Sequence, residues 1–176
     1  PPYPPGSDVA AARRGVLIHR LLERLPEVPP ADRHKAGLVW LARNAPEADA
    51  EALLRGVLAV VEAEAWAGLF TSAALAEVPI AATAGGKVIA GTIDRLLIES
   101  NRIRLIDFKT TRRPPGGLDG VSVSTLRQMA AYVCALEAAY PGRSVEAAVL
   151  YTEVPVLYEI PGHMLAMHKQ ALLAPE

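Results

Sequence analysis

Asp94, Asp107 and Lys109, with Glu77 upstream, are the residues of this chain whose types and spacing suit chemistry. Residues 88–98 and 103–109 carry the apolar patterning of strands, through Val88, Ile89, Ile93, Leu96, Ile103, Leu105 and Ile106. Between them, Glu99-Ser-Asn-Arg102 reads as a tight turn centred on Ser100 and Asn101. Pairing Glu99 with Arg102 sets an antiparallel register that places Asp94 opposite Asp107. Upstream, Gly85-Gly86 is a two-residue hairpin signal, because both positions call for positive φ. Pairing Ala84 with Lys87 then places Glu77 opposite Asp94. Three carboxylates would form one row across a three-stranded meander, with Lys109 on the same strand face as Asp107.

Directly paired side chains sit about 4.5–5.5 Å apart at Cβ, and like charges there are destabilising. A divalent cation is the simplest offset. Hard oxygen ligands without cysteine suit Mg2+ or Mn2+. Such an ion polarises a phosphoryl oxygen and acidifies a bound water, and a neighbouring lysine stabilises the negative charge of a transition state. The plainer alternative is a pair of surface ion pairs, Asp94 with Arg95 and Asp107 with Lys109, on a solvated sheet face. A one-residue slip in either hairpin would dissolve the row.

The elements around this meander carry further polar groups. Residues 7–25 read as a helix capped at Ser7 or Asp8, with Gly15 and His19 on one face. His19 offers either a nitrogen ligand or a core-edge imidazole bonded to a backbone carbonyl. A second helix, about 124–139, is capped at Ser122 or Ser124 and stops at Pro141-Gly142. Gln128 and Tyr132 share one of its faces beside Arg127, and suit either a nucleic-acid backbone or a core boundary. The continuous apolar run 145–152 fits a buried strand. The strand–helix–strand order places it parallel to the Asp107 strand.

Taken in order, Gly15-x-x-x-His19, Glu77, Gly91-x-Ile-Asp94-Arg-Leu, Asp107-Phe-Lys109-Thr and Gln128-x-x-x-Tyr132 resemble the RecB-like branch of the PD-(D/E)xK nuclease superfamily. More narrowly they resemble the carboxy-terminal nuclease domain of bacterial AddA-type helicase–nucleases, which act in double-strand break repair. The resemblance covers about residues 12–160. It implies an α/β, restriction-endonuclease-like αβββαβ core, a mixed central sheet flanked by helices, here with a helical insertion over about 32–70. It implies a divalent-metal-dependent DNA exonuclease. His19, Asp94, Asp107 and the carbonyl of Phe108 match the metal ligands, Lys109 the catalytic lysine, and Glu77 an auxiliary acid. Gln128 and Tyr132 match the substrate-contacting helix motif. The implied partners are DNA, as a single strand delivered by a helicase motor upstream in the same chain, and an AddB-type subunit. A catalytically silent DNA-guiding or partner-docking module of the same fold is the competing expectation.

Some relatives carry four cysteines for an iron–sulfur cluster, but Cys134 is the one cysteine among the 176 residues here. It reads as a small buried hydrophobe, and the absence of a disulfide framework fits a bacterial cytoplasm. No apolar run reaches the roughly 20 residues of a membrane span. Residues 1–6, Pro-Pro-Tyr-Pro-Pro-Gly, read as a linker remnant of a longer protein. Residues 7–176 read as a single domain: helical over 7–70, catalytic sheet and helix over 76–160, tail over 161–176. The net charge of −1 is low for an autonomous nucleic-acid binder. Arg95, Arg102, Arg104, Lys109, Arg112, Arg113 and Arg127 are expected to gather near the site, with Arg112, Arg113 and Arg127 on DNA and the Arg112-Arg113-Pro-Pro-Gly-Gly stretch a mobile basic loop.

Overall fold

The first part of the chain is helical and every strand lies in the second, and the computed structural model, which describes residues 7–111 and 113–173, divides between them. The first compact unit ends at Ser72 and the second begins at Ala73. In the first, α1 spans Ser7–Arg24, α2 Arg33–Asn44 and α3 Ala50–Val61. Prolines 26, 29 and 30 lack the amide a continuing helix needs, so the chain passes from α1 to α2 through short 3-10 turns. Arg33 Nε fastens that passage by donating to the carbonyls of Leu25 and Val28 at 3.1 and 3.0 Å. The Asp49 carboxylate caps α3 by accepting from Ala52 N at 3.1 Å.

The second unit is a five-stranded mixed sheet in the order β1-β2-β3-β4-β5. Its strands are β1 (Ala74–Ala84), β2 (Lys87–Ile98), β3 (Arg102–Lys109), β4 (Ser144–Tyr151) and β5 (Val156–Ile160). Only β3 and β4 run parallel, joined through α4 (Val123–Ala139). Pro79 sits in β1, an edge strand, where its missing amide costs least. Gly85 and Gly86 take φ +56° and +75° to turn β1 into β2. Glu99 and Arg102 close the next hairpin with a 2.8 Å backbone bond. Ser122 caps α4, its hydroxyl accepting from Thr125 N at 3.2 Å.

One face of the sheet is covered by α4 and by α5 (Gly162–Leu173). The buried core there joins Ile93, Leu96, Ile103 and Leu105 to Met129, Ala130 and Val133 of α4, with Val149 and Leu165. The α/β class, the mixed sheet and the αβββαβ order are those read from the sequence. Residues 161–176, expected only as a tail, contribute α5, and β5 is an added edge strand. Neither has the strong periodicity that marks the other elements.

Candidate active site

Both expected registers are present, and both are interrupted at the acids. β2 and β3 pair from Ile98↔Ile103 to Arg95↔Ile106, where the ladder stops one position before Asp94 and Asp107. β1 and β2 pair from Ala84↔Lys87 to Val78↔Ile93, skip Glu77 and Asp94, and resume at Ala76↔Arg95. Glu77 is the skipped residue's cause: its φ is +50°, the left-handed region, alone among the described non-glycine residues. Side-chain alternation changes phase across this gap. Gly91 and Ile93 face α4 before it, whereas Leu96 and Ile98 join the same core after it.

The break frees polar groups that a continuous ladder would occupy. Asp94 Oδ2 accepts the Phe108 amide at 2.6 Å, holding β3 where it leaves β2 for β4. Carboxylate oxygens of Glu77 and Asp94 lie within 4.8 Å of each other. Asp107, 6% exposed, turns its Oδ2 to Lys109 Nζ at 2.7 Å. Asp107 and Lys109 therefore share a strand face, as expected from their spacing. The flanking pairs keep Glu77 in register with Asp94, and Asp94 with Asp107, as the two turns predict, while the ladder bonds themselves are missing at these positions.

These groups fit a hard cation. Two oxygens about 2.1 Å from a Mg2+ ion are at most about 4.2 Å apart. The Glu77 and Asp94 oxygens, within 4.8 Å of each other, are spaced on that scale. His19 lies half-buried on α1 of the first unit. Phe108 stands between Asp107 and Lys109 on β3, its side chain buried.

Beside Lys109 opens a cavity of about 530 Å3, lined by Lys109, Arg113, Ser122, Thr125 and Tyr151 among others. Tyr151 is the β4 partner of Lys109 and meets the Tyr158 ring edge-on, centroids 5.9 Å apart. Burial pushes the Tyr151 phenol up, with the Lys109 charge pulling the other way, so it stays protonated at neutral pH. Thr152, 4% exposed, donates its amide to the Lys109 carbonyl at 3.0 Å. Neither Tyr151 nor Thr152 was singled out by sequence, although the parallel register was readable and points to both. The loop after β3 is anchored where Tyr158 Oη donates to the Pro115 carbonyl at 2.7 Å. Arg112 lies outside the described residues.

On α4, Gln128 Nε2 donates to Tyr132 Oη at 3.1 Å. Tyr132 is 5% exposed and packs on Gly91, where any Cβ would collide with its phenol. The glycine three residues before Asp94 is thus a seat for Tyr132, and Tyr132 in turn holds Gln128. Arg127 projects elsewhere, into a second cavity with Lys87 and His168.

Of the expected basic cluster, Lys109 and Arg113 line one cavity, Arg127 lines another, and Arg95, Arg102 and Arg104 are placed otherwise. Arg95 is 1% exposed, and so presents no surface cation. Arg102 and Arg104 lie at the hairpin end of β3, tied to Glu99 Oε2 at 2.8 and 3.5 Å. Their sequence positions near Asp107 hide some 10–16 Å of extended strand. The bond from Arg102 holds the Glu99 carboxyl below the usual carboxylate range. Cys134 is buried as expected, and burial pushes its thiol up. Among the described residues no helix is long and apolar enough to cross a membrane.

A model of the PD-(D/E)XK nuclease superfamily matches residues 2–169. Among solved structures, a "putative exonuclease" from Eubacterium rectale superposes with a TM-score of 0.51 at 11% identity, over 86% of this chain. The match spans 64% of that structure's chain. The protein SSO0001 aligns at 17% identity with a TM-score of 0.40, covering 88% of this chain and 74% of its own. No curated protein matches in sequence. With the family model covering nearly its whole length, this chain belongs to the PD-(D/E)XK nuclease superfamily.

Proposed function

We propose that the chain is a Mg2+-dependent DNA exonuclease domain, with Mn2+ able to substitute, working in a larger helicase–nuclease that processes double-strand break ends. The single observation carrying the nuclease reading is the interrupted ladder. Glu77, Asp94, Asp107 and Lys109 converge at a gap in an otherwise regular sheet, and the family is one of metal-dependent nucleases. In this reading Asp94, Asp107 and the Phe108 carbonyl hold the ion, with His19 of α1 as a further ligand and Glu77 as auxiliary acid. A bound divalent ion supplies Lewis-acid polarisation of the scissile phosphate and acidifies water.

The chain's own groups do the rest. The bond to Phe108 N fixes the Asp94 carboxylate. The contact with Asp107 holds the Lys109 amine beside the cleft, where it stabilises charge on the reacting phosphate. Arg113, Ser122 and Tyr151 offer donors to the phosphate backbone along the cleft. Gln128, steadied by Tyr132, contacts the same strand, and Arg112 and Arg127 add cations to it. A net charge of −1 suits a domain to which a motor delivers DNA. A helicase preceding it in one chain, an AddB-type partner subunit and a bacterial cytoplasmic setting follow from that reading.

The test is release of nucleotides from linear DNA by the chain in Mg2+, against Asp107→Ala and Lys109→Ala variants with unchanged circular dichroism. Loss of cleavage in both variants is expected, together with abolition by chelator. Full activity in Asp107→Ala removes the proposal. A silent DNA-guiding module is the second reading. Facing carboxylates have no evident use in it, and a Mn2+ titration without heat or thermal shift would favour it.

A further inference from the structure

A second cavity, of about 230 Å3, is lined by Lys87 at the start of β2, Arg127 of α4 and His168 of α5, against an apolar wall of Ala171 and Leu172. No acid is among these lining residues. Among the described residues, no carboxylate pairs with Lys87, Arg127 or His168. Their neighbour Lys169, by contrast, is neutralised by Glu137 at 2.9 and 3.0 Å. The chain as a whole carries 18 Lys and Arg against 19 Asp and Glu. A cavity fed by three separate elements, with no acid among its described lining residues, is therefore not an average sample of the surface. Local cationic concentrations of this kind attract phosphate.

Its location gives it a use. Thr125 lines the Lys109 cleft and Arg127 the second cavity. Residues two apart on a helix point about 200° apart, so the cavities flank the first turns of α4 on different sides. A helix with side chains is about 10–12 Å across. A strand that passes one cavity therefore reaches the other within a few nucleotides.

We propose that this cavity grips a backbone phosphate of the substrate strand, a few nucleotides from the bond cut beside Lys109. The inference rests on the nuclease reading above, because it assumes a nucleic-acid substrate. Lys87 and Arg127 neutralise the phosphate, and the His168 ring adds an N–H donor. The contact reads no base, so it strengthens binding equally for all sequences.

The experiment measures anisotropy of a labelled single strand across a salt series, with the whole chain in EDTA so that nothing is cut. Lys87→Gln/His168→Gln is compared with the parent. A several-fold loss of affinity is expected. The log–log salt slope should shrink by about 0.7, the value for one lost contact on a single strand. Hydrolysis of bis(p-nitrophenyl) phosphate, too small to reach the cavity, should persist in Mg2+. Arg127→Gln, at an exposed position, repeats the binding measurement should the double variant unfold. Unchanged affinity and slope overturn the proposal and leave the cavity to another acidic ligand. Loss of small-diester hydrolysis together with binding overturns it too. A parent chain that binds DNA but hydrolyses no diester defeats the nuclease reading alone, because the binding series still decides the cavity.

Discussion

Gly91→Ala is a minimal change at a position the structure singles out. The added methyl carbon would lie 2.9 Å from both Cε1 and Cζ of Tyr132, and closer still to its hydroxyl. Ordinary carbon–carbon contact is about 3.5–4.0 Å, so the ring must retreat by at least about half an ångström. It has little room. Tyr132 is 5% exposed, packed in the core with Met129 and Val133 and bonded to Gln128. Overpacking of this kind costs about 1–3 kcal/mol. The backbone adds nothing to that cost, because Gly91 has no positive φ.

For a chain of this size each kcal/mol moves Tm by about 2–4 °C. Gly91→Ala should therefore melt about 2–12 °C below the parent by circular dichroism. Tyr132→Phe removes the atom in closest conflict. In a double-mutant cycle the pair should lose less stability than the sum of the singles, by at least about 0.5 kcal/mol. A Gly91→Ala variant melting with the parent, or costs that simply add, would refute the seat assigned to Tyr132.

Glu77→Gly should hold or raise stability by up to about 1.5 kcal/mol in urea unfolding, since the left-handed penalty of about 1–2 kcal/mol vanishes against a glycine cost of about 0.5–1 kcal/mol. Its metal-dependent cleavage should fall, whereas marked destabilisation would contradict the φ of +50°. Tyr158→Phe deletes the bond to the Pro115 carbonyl and should cost about 0.5–1.5 kcal/mol, with faster hydrogen exchange at the Gly120 amide. Unaltered exchange would mean that the loop is held elsewhere. Cys134 should react with a thiol reagent only after unfolding, because burial raises its pKa. Since that shift and the one at Tyr151 are upward, the stability they carry is complete below the ordinary values of 9.0 and 10.0 and is lost as pH climbs beyond them. Alkaline melts of Cys134→Ala should decline less steeply than those of the parent.

Turn chemistry made the registers legible. Gly85-Gly86 and the Glu99–Arg102 closure fix which residues face each other; the β1–β2 ladder keeps its pairing on both sides of the acids, and the β2–β3 ladder keeps its pairing up to them. The Ser122 cap and the parallel β4 followed equally from local signals and chain order. The gap itself was not legible. A glutamate in the left-handed region has no marker in a sequence, because that conformation is imposed by the surrounding sheet rather than by propensity. Proximity along a strand also misled for Arg102 and Arg104, whose partner Glu99 sits across the turn. The Lys87–Arg127–His168 cavity joins residues separated by some forty positions at each step, which no periodicity records.

The Asp94–Phe108 bond explains why the interrupted sheet is tolerable. Where β3 leaves β2, an amide loses its ladder partner, and such groups are costly unless another acceptor is found. Asp94 supplies one, and the charged acceptor makes the bond stronger than a neutral one. The same contact holds Asp94 in a fixed orientation, so the fold is stabilised by the carboxylate it positions. Structure and chemistry at Asp94 can be separated by two substitutions. Asp94→Asn keeps an oxygen able to accept from Phe108 N but loses the charge. Its stability should stay within about 1 kcal/mol of the parent, since a neutral acceptor replaces a charged one, while metal-dependent cleavage collapses. Asp94→Ala removes the acceptor as well, and should cost a further 1–3 kcal/mol, roughly the penalty of stranding a buried donor. Equal stability of the two variants in urea would show that Phe108 N does not depend on Asp94. Residual cleavage in Asp94→Asn near the parent level would show that the charge is not what the site uses.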